Sequence, residues 1–361
     1  MAIIIKHSKL PDCVTAARQT LTLLVGVQIL VGQPQNPELR FRVFSFGKAF
    51  KILFIFAIIG LGVIYLKIIN FGSLNIDHVY PVPHVVRPEE TVRAKKATFF
   101  PGGKGLNQSI AIARSGADIY HAGCIGMNDG SYLLNVLDKN GVNTSLIRKK
   151  EVPTGSAFIQ VTPEGTKSII VCGGANMSIT SDQIDYTVAQ LRRGDILLLQ
   201  NEINGLPEII EKALDAGAKI ALNPSPFTED LLSLPLDRLS YVFLNRYEAS
   251  DFTGKNPMDI EALIPALRRT FPKAEVVLTM GIKGSMLITA DDVIYQKIYE
   301  ATVKDKTAAG DAFIGFYLGT TVGGAVPRDA LMMAAKAASV TVSRAGAASS
   351  IPMIEECYGI Q

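Results

Sequence analysis

The chain has 361 residues, 48% of them hydrophobic and 19% charged, with a formal net charge of +3. That length holds one large α/β domain or two modest ones, and so mild and evenly spread a positive balance argues against a nucleic-acid partner. Cys13, Cys124, Cys172 and Cys357 lie far apart with no CxxC pair, and His7, His78, His84 and His121 have no metal-ligand spacing. A disulfide framework and a structural zinc site are therefore set aside, and the chemistry falls to carboxylates, lysines and backbone amides.

Residues 1–64 read as an atypical apolar extension. Residues 52–66 are a continuous apolar run, short of the roughly 20 residues that span a bilayer. Arg40, Arg42, Lys48 and Lys51 precede it and would hold its N-terminal side in the cytoplasm. The end of this run, residues 65–71 (YLKIINF), is also a buried-strand pattern stopped by Gly72. One stretch does not serve as both membrane helix and sheet strand, because the two need different backbone geometries. Leu66 is therefore read as the native start and the upstream residues as an over-extended reading frame; a membrane segment at 50–66 is the rival.

Residues 72–77 (GSLNID) follow that strand. Asn75 and Asp77 alternate along an extended chain and so share a face, an arrangement suited to a vicinal diol, although a capped turn gives the same pattern. Residues 91–100 have strand character. Residues 101–107 (PGGKGLN) form a glycine-rich turn in which Lys104 and Asn107 offer donors to hydroxyl groups, and a helix is predicted over 107–115. Strands are predicted over 156–161, 167–171, 195–200, 219–222, 241–244 and 274–279, with helices over 206–216 and 259–270. Alternating strands and helices imply a mainly parallel sheet covered on both faces, and the early strands without helices between them imply a small separate β layer.

Residues 305–315 (DKTAAGDAFIG) are the most informative segment. Small residues at a helix start let amides approach a phosphate closely, and the helix dipole favours an anion there. Asp311 falls in the first turn, where a carboxylate can take a proton from an attacking hydroxyl. An ordinary N-terminal carboxylate is the bland alternative.

In this order and spacing, the GSLNID, PGGKGLN and AAGD segments resemble the ribokinase family of sugar kinases. The likeness runs from about Tyr65 to the C-terminus. It also takes in Thr154-Gly155, residues 174–176, Glu202, Asn223-Pro224, the NRYE segment with Asn245 and Glu248, residues 279–284 (TMGIKG) and residues 343–352. The resemblance implies a three-layer α/β sandwich over residues 65–361, with a mainly parallel central sheet and a small β-sheet lid. It implies transfer of the γ-phosphate of ATP to the hydroxymethyl group of a pentose, D-ribose foremost, to give ribose 5-phosphate. Fructose, deoxyribose or a nucleoside on the same fold is the alternative, and a non-catalytic sugar sensor is the alternative from another class.

Carried over residue by residue, the likeness makes Asp311 the base. Asn75, Asp77, Gly103, Lys104, Asn107 and Glu202 would hold the sugar together with Asp311. Asn245, Thr279, Gly281, Gly284 and Gly310 would line the nucleotide site. Glu248 would organise Mg²⁺ through water. Asp305, Thr307, Thr341, Arg344, Gly346 and Ser350 would hold an activating K⁺. A cytoplasmic enzyme, paired into a homodimer through its lid strands, completes the expectation. Two features depart from the family pattern: the extension, and Lys306, where a small or hydroxyl residue is usual beside the cation site.

Overall fold

The structure is a computed structural model that describes residues 66–360. The readings of residues 1–64 as an extension, of 50–66 as a membrane segment and of Leu66 as the start lie wholly or mainly outside the described residues. Among the described residues no helix is long and apolar enough to cross a membrane.

The chain enters on β1 (Ile68–Phe71), followed by β2 (Asn75–Pro81), β3 (Thr98–Gly102) and helix α1 (Lys104–Arg114). Then come β4 (Ile119–Gly126), α2 (Ser131–Lys139), β5 (Asn143–Lys150), β6 (Gly155–Val161), β7 (Lys167–Cys172) and α3 (Ser181–Val188). Strand β8 (Ile196–Gln200), α4 (Leu206–Asp215), β9 (Lys219–Asn223), β10 (Tyr241–Asn245), α5 (Arg246–Thr253) and α6 (Ile260–Thr270) follow. The last stretch is β11 (Glu275–Thr279), β12 (Ser285–Ile288), β13 (Val293–Gln296), α7 (Ala309–Val322), α8 (Pro327–Val342) and α9 (Ile354–Tyr358).

Nine strands form the central sheet in the order β13-β12-β11-β10-β9-β8-β1-β4-β5. All neighbours pair in parallel except β11 with β12 and β12 with β13. Successive side chains of a strand point to opposite faces, and the core divides accordingly. Ile68, Leu198, Phe243 and Val277 pack with α1, α7 and α8 on one face. Ile69, Leu197, Leu199, Val242 and Leu278 pack with α4, α5 and α6 on the other. Because both faces are covered, these strands read as unbroken apolar runs.

The remaining strands form a second sheet, β3-β2-β6-β7. Asn75 and Asp77 lie on β2 with the same parity, so the shared face expected of them is present. The expected strand at 91–100 is shorter upstream and starts only at Thr98. Thr98 pairs with Val79 and β2 ends two residues later at Pro81, so residues 91–95 have no strand to pair with. The helix expected from Asn107 starts earlier, at Lys104, directly after Gly103.

Candidate active site

Ligands of open α/β sheets bind beyond the carboxyl ends of the strands, where the strand order reverses. Here the order reverses around β1: the chain moves out to β4 and β5, then returns to β8 on the other side. The loops after β1 and β8 supply Ser73 and Glu202, and α1 supplies Lys104, Asn107 and Gln108.

The turn before α1 is built to bring backbone against β2. Gly103 has φ +95, a region that favours glycine, and a Cβ on Gly102 would stand 2.2 Å from Asp77 Oδ1. Lys104 Nζ lies 3.6 Å from Glu202 Oε1, and its backbone amide donates to Glu202 Oε2 at 3.1 Å. The Ser73 hydroxyl donates to the same Oε2. Burial works against the Lys104 charge, but Glu202 and Asp311 outweigh it and hold the ammonium above the ordinary lysine range. Burial, aided by the Glu202 charge and opposed by Lys104, pushes Asp77 up to about 6.

Asp311 sits in the first turn of α7, as its sequence context predicted. The helix opens on Ala308, a non-glycine residue at φ 62, which turns the chain sharply into the helix. The amides of Gly310 and Asp311 find no backbone acceptor among the described residues, as is usual for a first helical turn. A Cβ at Gly310 would meet nothing within 4 Å and Gly310 lines a neighbouring pocket, so the helix start borders open space, and free amides at such a start suit an anion. Gln108 Nε2 donates to Asp311 Oδ1 at 2.9 Å and Asn107 Nδ2 donates to Oδ2 at 3.1 Å. Burial raises the Asp311 pKa; Lys104 and the two amides oppose that rise without cancelling it. A carboxylate lifted toward neutrality is a better proton acceptor for an alcohol than an ordinary aspartate.

Two buried acceptors at this site have no hydrogen-bond partner among the described residues: Asp77 Oδ1 and Asn107 Oδ1. Buried polar atoms left unmatched are costly, so each marks a place where a ligand donor fits. Asn75 contributes differently: its Oδ1 accepts from Asn176 Nδ2 at 2.8 Å.

Beside the start of α7 opens a pocket of about 350 Å³. Thr279, Gly281, Gly284, Gly310, Lys297 and Lys306 are among its lining residues, with apolar walls from Ile298, Phe313 and Ala335. Of the expected nucleotide-site residues, Asn245 does not line it. Its side chain caps α5 by accepting from the amides of Tyr247 and Glu248, while Glu248 Oε2 accepts from the Asn245 amide at 2.9 Å. Burial raises the Glu248 pKa.

Asp305 and Thr307 lie together before α7. Asp305 Oδ1 accepts from Thr307 N at 3.0 Å and Thr307 Oγ1 at 2.6 Å, and Oδ2 accepts from Gly346 N at 3.3 Å. Lys167 of β7 reaches across to donate to Asp305 Oδ1 at 3.3 Å and Thr307 Oγ1 at 3.1 Å. Burial pushes Asp305 up, but Thr307, Gly346 and Lys167 outweigh it and hold the carboxyl below its usual range. Lys306 has no part in that balance; it is exposed and lines the neighbouring pocket. The Thr341 and Ser350 hydroxyls donate to the carbonyls of Ala337 and Ala347, and the Arg344 guanidinium pairs with Glu356.

Sequence reasoning missed Ser73, Gln108, Gln200, Lys167 and Lys297. Ser73 sits inside GSLNID, and Gln108 sits one place beyond PGGKGLN at the start of the predicted helix. Lys167 and Lys297 lie in ordinary strand-and-loop sequence and join the sites only through the fold.

The sheet, the lid and the carboxylate at a helix start define a kinase for a small alcohol acceptor. Residues 66–354 match the family model described as pfkB family carbohydrate kinase. The chain belongs to that family and is a phosphotransferase with an alcohol group as acceptor. It is 32% identical over 294 residues to the ribokinase of Haemophilus influenzae, a match covering 79% of this chain and 95% of that one. Among solved structures, the ribokinase of Thermotoga maritima superposes with a TM-score of 0.74 at 31% identity, covering 81% of this chain and 98% of that one. The ribokinase of Arabidopsis thaliana, complexed with ribose and ATP, gives 0.71 at 28% identity, covering 81% and 97%. The fold is therefore ribokinase-like, with the mainly parallel central sheet and smaller second sheet expected of it.

Proposed function

We propose that the chain transfers the γ-phosphate of ATP to the hydroxymethyl group of D-ribose, giving ribose 5-phosphate, with Asp311 as the base. The observation that carries the substrate class is the pair of unmatched buried acceptors, Asp77 Oδ1 and Asn107 Oδ1, close to the Lys104–Glu202 ion pair. Such a surface suits a small polyol whose hydroxyls both donate and accept. The match to a ribokinase solved with ribose and ATP supports the pentose.

Phosphoryl transfer needs in-line placement and charge stabilisation more than covalent help. Asn75, Asp77, Asn107 and Glu202 would orient the sugar so that its hydroxymethyl oxygen approaches Asp311. Asp311 would take the proton as the oxygen attacks. The amides of Gly310 and Asp311 would receive the charge developing on the transferred group. The 350 Å³ pocket would take the nucleotide, its apolar walls against the base and Lys306 among the residues that line it. Mg²⁺ travels with ATP and neutralises phosphate charge, and it is bound chiefly by phosphate oxygens, water and one or two carboxylates. Glu248, a carboxylate and so a hard oxygen donor, would hold one such water. The lid sheet would cover the sugar and keep water from competing for the phosphoryl group.

The reading includes a homodimer through the lid. Phe99, His78, Phe158 and Ile170 are directly opposed across all four lid strands and so line one face. Phe99 is 55% and Ile170 64% exposed, an apolar stripe suited to a second copy of the same sheet. A cytoplasmic location, with its supply of ATP, belongs to the same reading.

The test of substrate is ATP consumption against a panel of pentoses, hexoses and nucleosides. D-ribose is expected to give the highest kcat/KM. Turnover of fructose, deoxyribose or a nucleoside with none of ribose would overturn the pentose and leave the family intact.

K⁺ activation is also part of the proposal. Asp305 Oδ2 has a single donor among the described residues, and the carbonyls near Thr307, Thr341, Arg344, Gly346 and Ser350 could complete an oxygen shell. A monovalent cation there would stabilise the loop that carries the anion-binding amides. Replacing Na⁺ with K⁺ is expected to raise kcat severalfold. Equal rates in K⁺, Na⁺ and a bulky organic cation would overturn K⁺ activation, the site then being absent or already served by a lysine ammonium such as that of Lys167 on Asp305 Oδ1.

A further inference from the structure

We propose that Gln108 is a positioning residue for the reaction: held between Asp311 and the ends of β8 and β9, it fixes the direction in which Asp311 presents its oxygens to the acceptor hydroxyl. This deepens the reading above and rests on Asp311 being the base.

Gln108 is completely buried on α1. Its Nε2 donates to Asp311 Oδ1 at 2.9 Å and to Asn223 Oδ1 at 3.1 Å, and its Oε1 accepts from Gln200 Nε2 at 2.7 Å. Only one amide orientation satisfies all three contacts, because the flipped amide would set oxygen against the Asp311 carboxylate. The partners are anchored in turn. Gln200 Nε2 donates to Asn70 Oδ1 at 2.9 Å, Asn70 Nδ2 donates to Ser109 Oγ at 2.9 Å, and Asn223 Nδ2 donates to the Phe243 carbonyl at 3.3 Å. The chain of amides thus ties the base to β1, β8, β9 and β10.

A buried polar cluster among parallel strands is costly, this one the more so because Gln200 Oε1 has no partner among the described residues, and aliphatic side chains would fill the same space more simply. This one ends on the catalytic carboxylate. The second donor to Asp311, Asn107, still has an unmatched Oδ1 and is left to respond to substrate. Gln108, with its amide group engaged on both ends, is not. The rigid donor sets the carboxylate, and the adaptable one meets the sugar.

The test uses the full chain with MgATP and the acceptor selected by the panel. Gln108→Met keeps length and apolar volume but removes the donor. It is expected to lower kcat by about 10- to 100-fold while both KM values stay within about threefold, the pattern of a mispositioned catalytic group. The groups facing Asp311 are Lys104, Glu202, Asn107 and Gln108, so loss of a donor to its charged form should move the acid limb of the kcat–pH profile to higher pH. Gln108→Glu keeps the shape and the bond from Gln200 but sets a second carboxylate against Asp311; it should move that limb the same way and provides the test if Gln108→Met does not fold. Leu267→Ala on α6 opens the core on the opposite face of the sheet from α1 and α7, outside this cluster, and should lower thermal stability without moving kcat or the limb. Wild-type kcat and pH profile in the folded Gln108 variants would overturn the proposal, as would a kcat loss that Leu267→Ala reproduces. If Asp311→Asn is inactive and the Gln108 variants are normal, only the Gln108 role fails; if Asp311→Asn is active, the base assignment fails first.

Discussion

Asp311→Asn is expected to lower turnover by about 100-fold or more, the scale of losing a general base, while nucleotide and sugar still bind. An amide cannot take the proton of the attacking hydroxymethyl group. The introduced N–H₂ fits toward Asn107, whose unmatched Oδ1 can turn to accept from it, while Gln108 still donates to the remaining oxygen. Stability should move the other way. The folded-state pKa of Asp311 is raised, so the folded protein holds its proton more tightly than the unfolded chain does. As pH rises through that interval stability falls, and above it the ionised carboxylate remains a cost that the variant removes. The expected pair of results is therefore a nearly inactive enzyme with a melting temperature no lower than the wild type's. Near-normal turnover would remove Asp311 from the role of base.

Asp77 should show the same opposition between stability and function. Asp77→Ala is expected to weaken sugar binding by about 10- to 100-fold, the range for losing a hydrogen bond to a charged acceptor. Its pKa of about 6, against an ordinary value of 3.8, fixes the pH dependence. The folded protein binds the extra proton between those values, so stability falls as pH rises from 3.8 to about 6, and the ionised form is penalised above that. Discounted for partial exposure, Asp77→Asn should stabilise the sugar-free protein by about 1–2 kcal/mol at pH 8. Sugar affinity of the wild type should fall as pH drops through about 6, because a protonated Asp77 loses its charge. Calorimetric titration of sugar separates this from turnover, which Asp311 also controls. A wild-type affinity flat across that range would contradict the assignment of Asp77 to the sugar.

The chemistry-bearing segments were legible because they combine unusual residue types over short spans. AAGD could be placed at a helix start, and Asn75 and Asp77 on one face of a strand, from local spacing alone. The parallel strands were legible for a different reason: DILLLQ and its like are apolar at nearly every position, as strands buried on both faces must be. Helix α8 escaped notice because its interior, AAKAASV, is small-residue sequence that shows little amphipathic contrast. Helix α2 is only nine residues long and buries just Leu133 and Leu137 fully. Contacts across long sequence distances were out of reach. Gln108 with Asp311, Gln200 and Asn223, and Lys167 with Asp305, are set by how helices and lid settle on the sheet. Lys306 is next to Asp305 in sequence, which suggests an influence on a cation held there, whereas the helix start places it in the lining of the neighbouring pocket instead.

The most direct measurement is phosphorus–proton correlation NMR of the ester formed from D-ribose and MgATP. The proposed geometry, with the hydroxymethyl oxygen at Asp311, predicts one product whose phosphorus couples to the two methylene protons on C5. Its formation should nearly vanish with Asp311→Asn. A phosphate on the anomeric oxygen, or ADP released with no sugar ester, would contradict it.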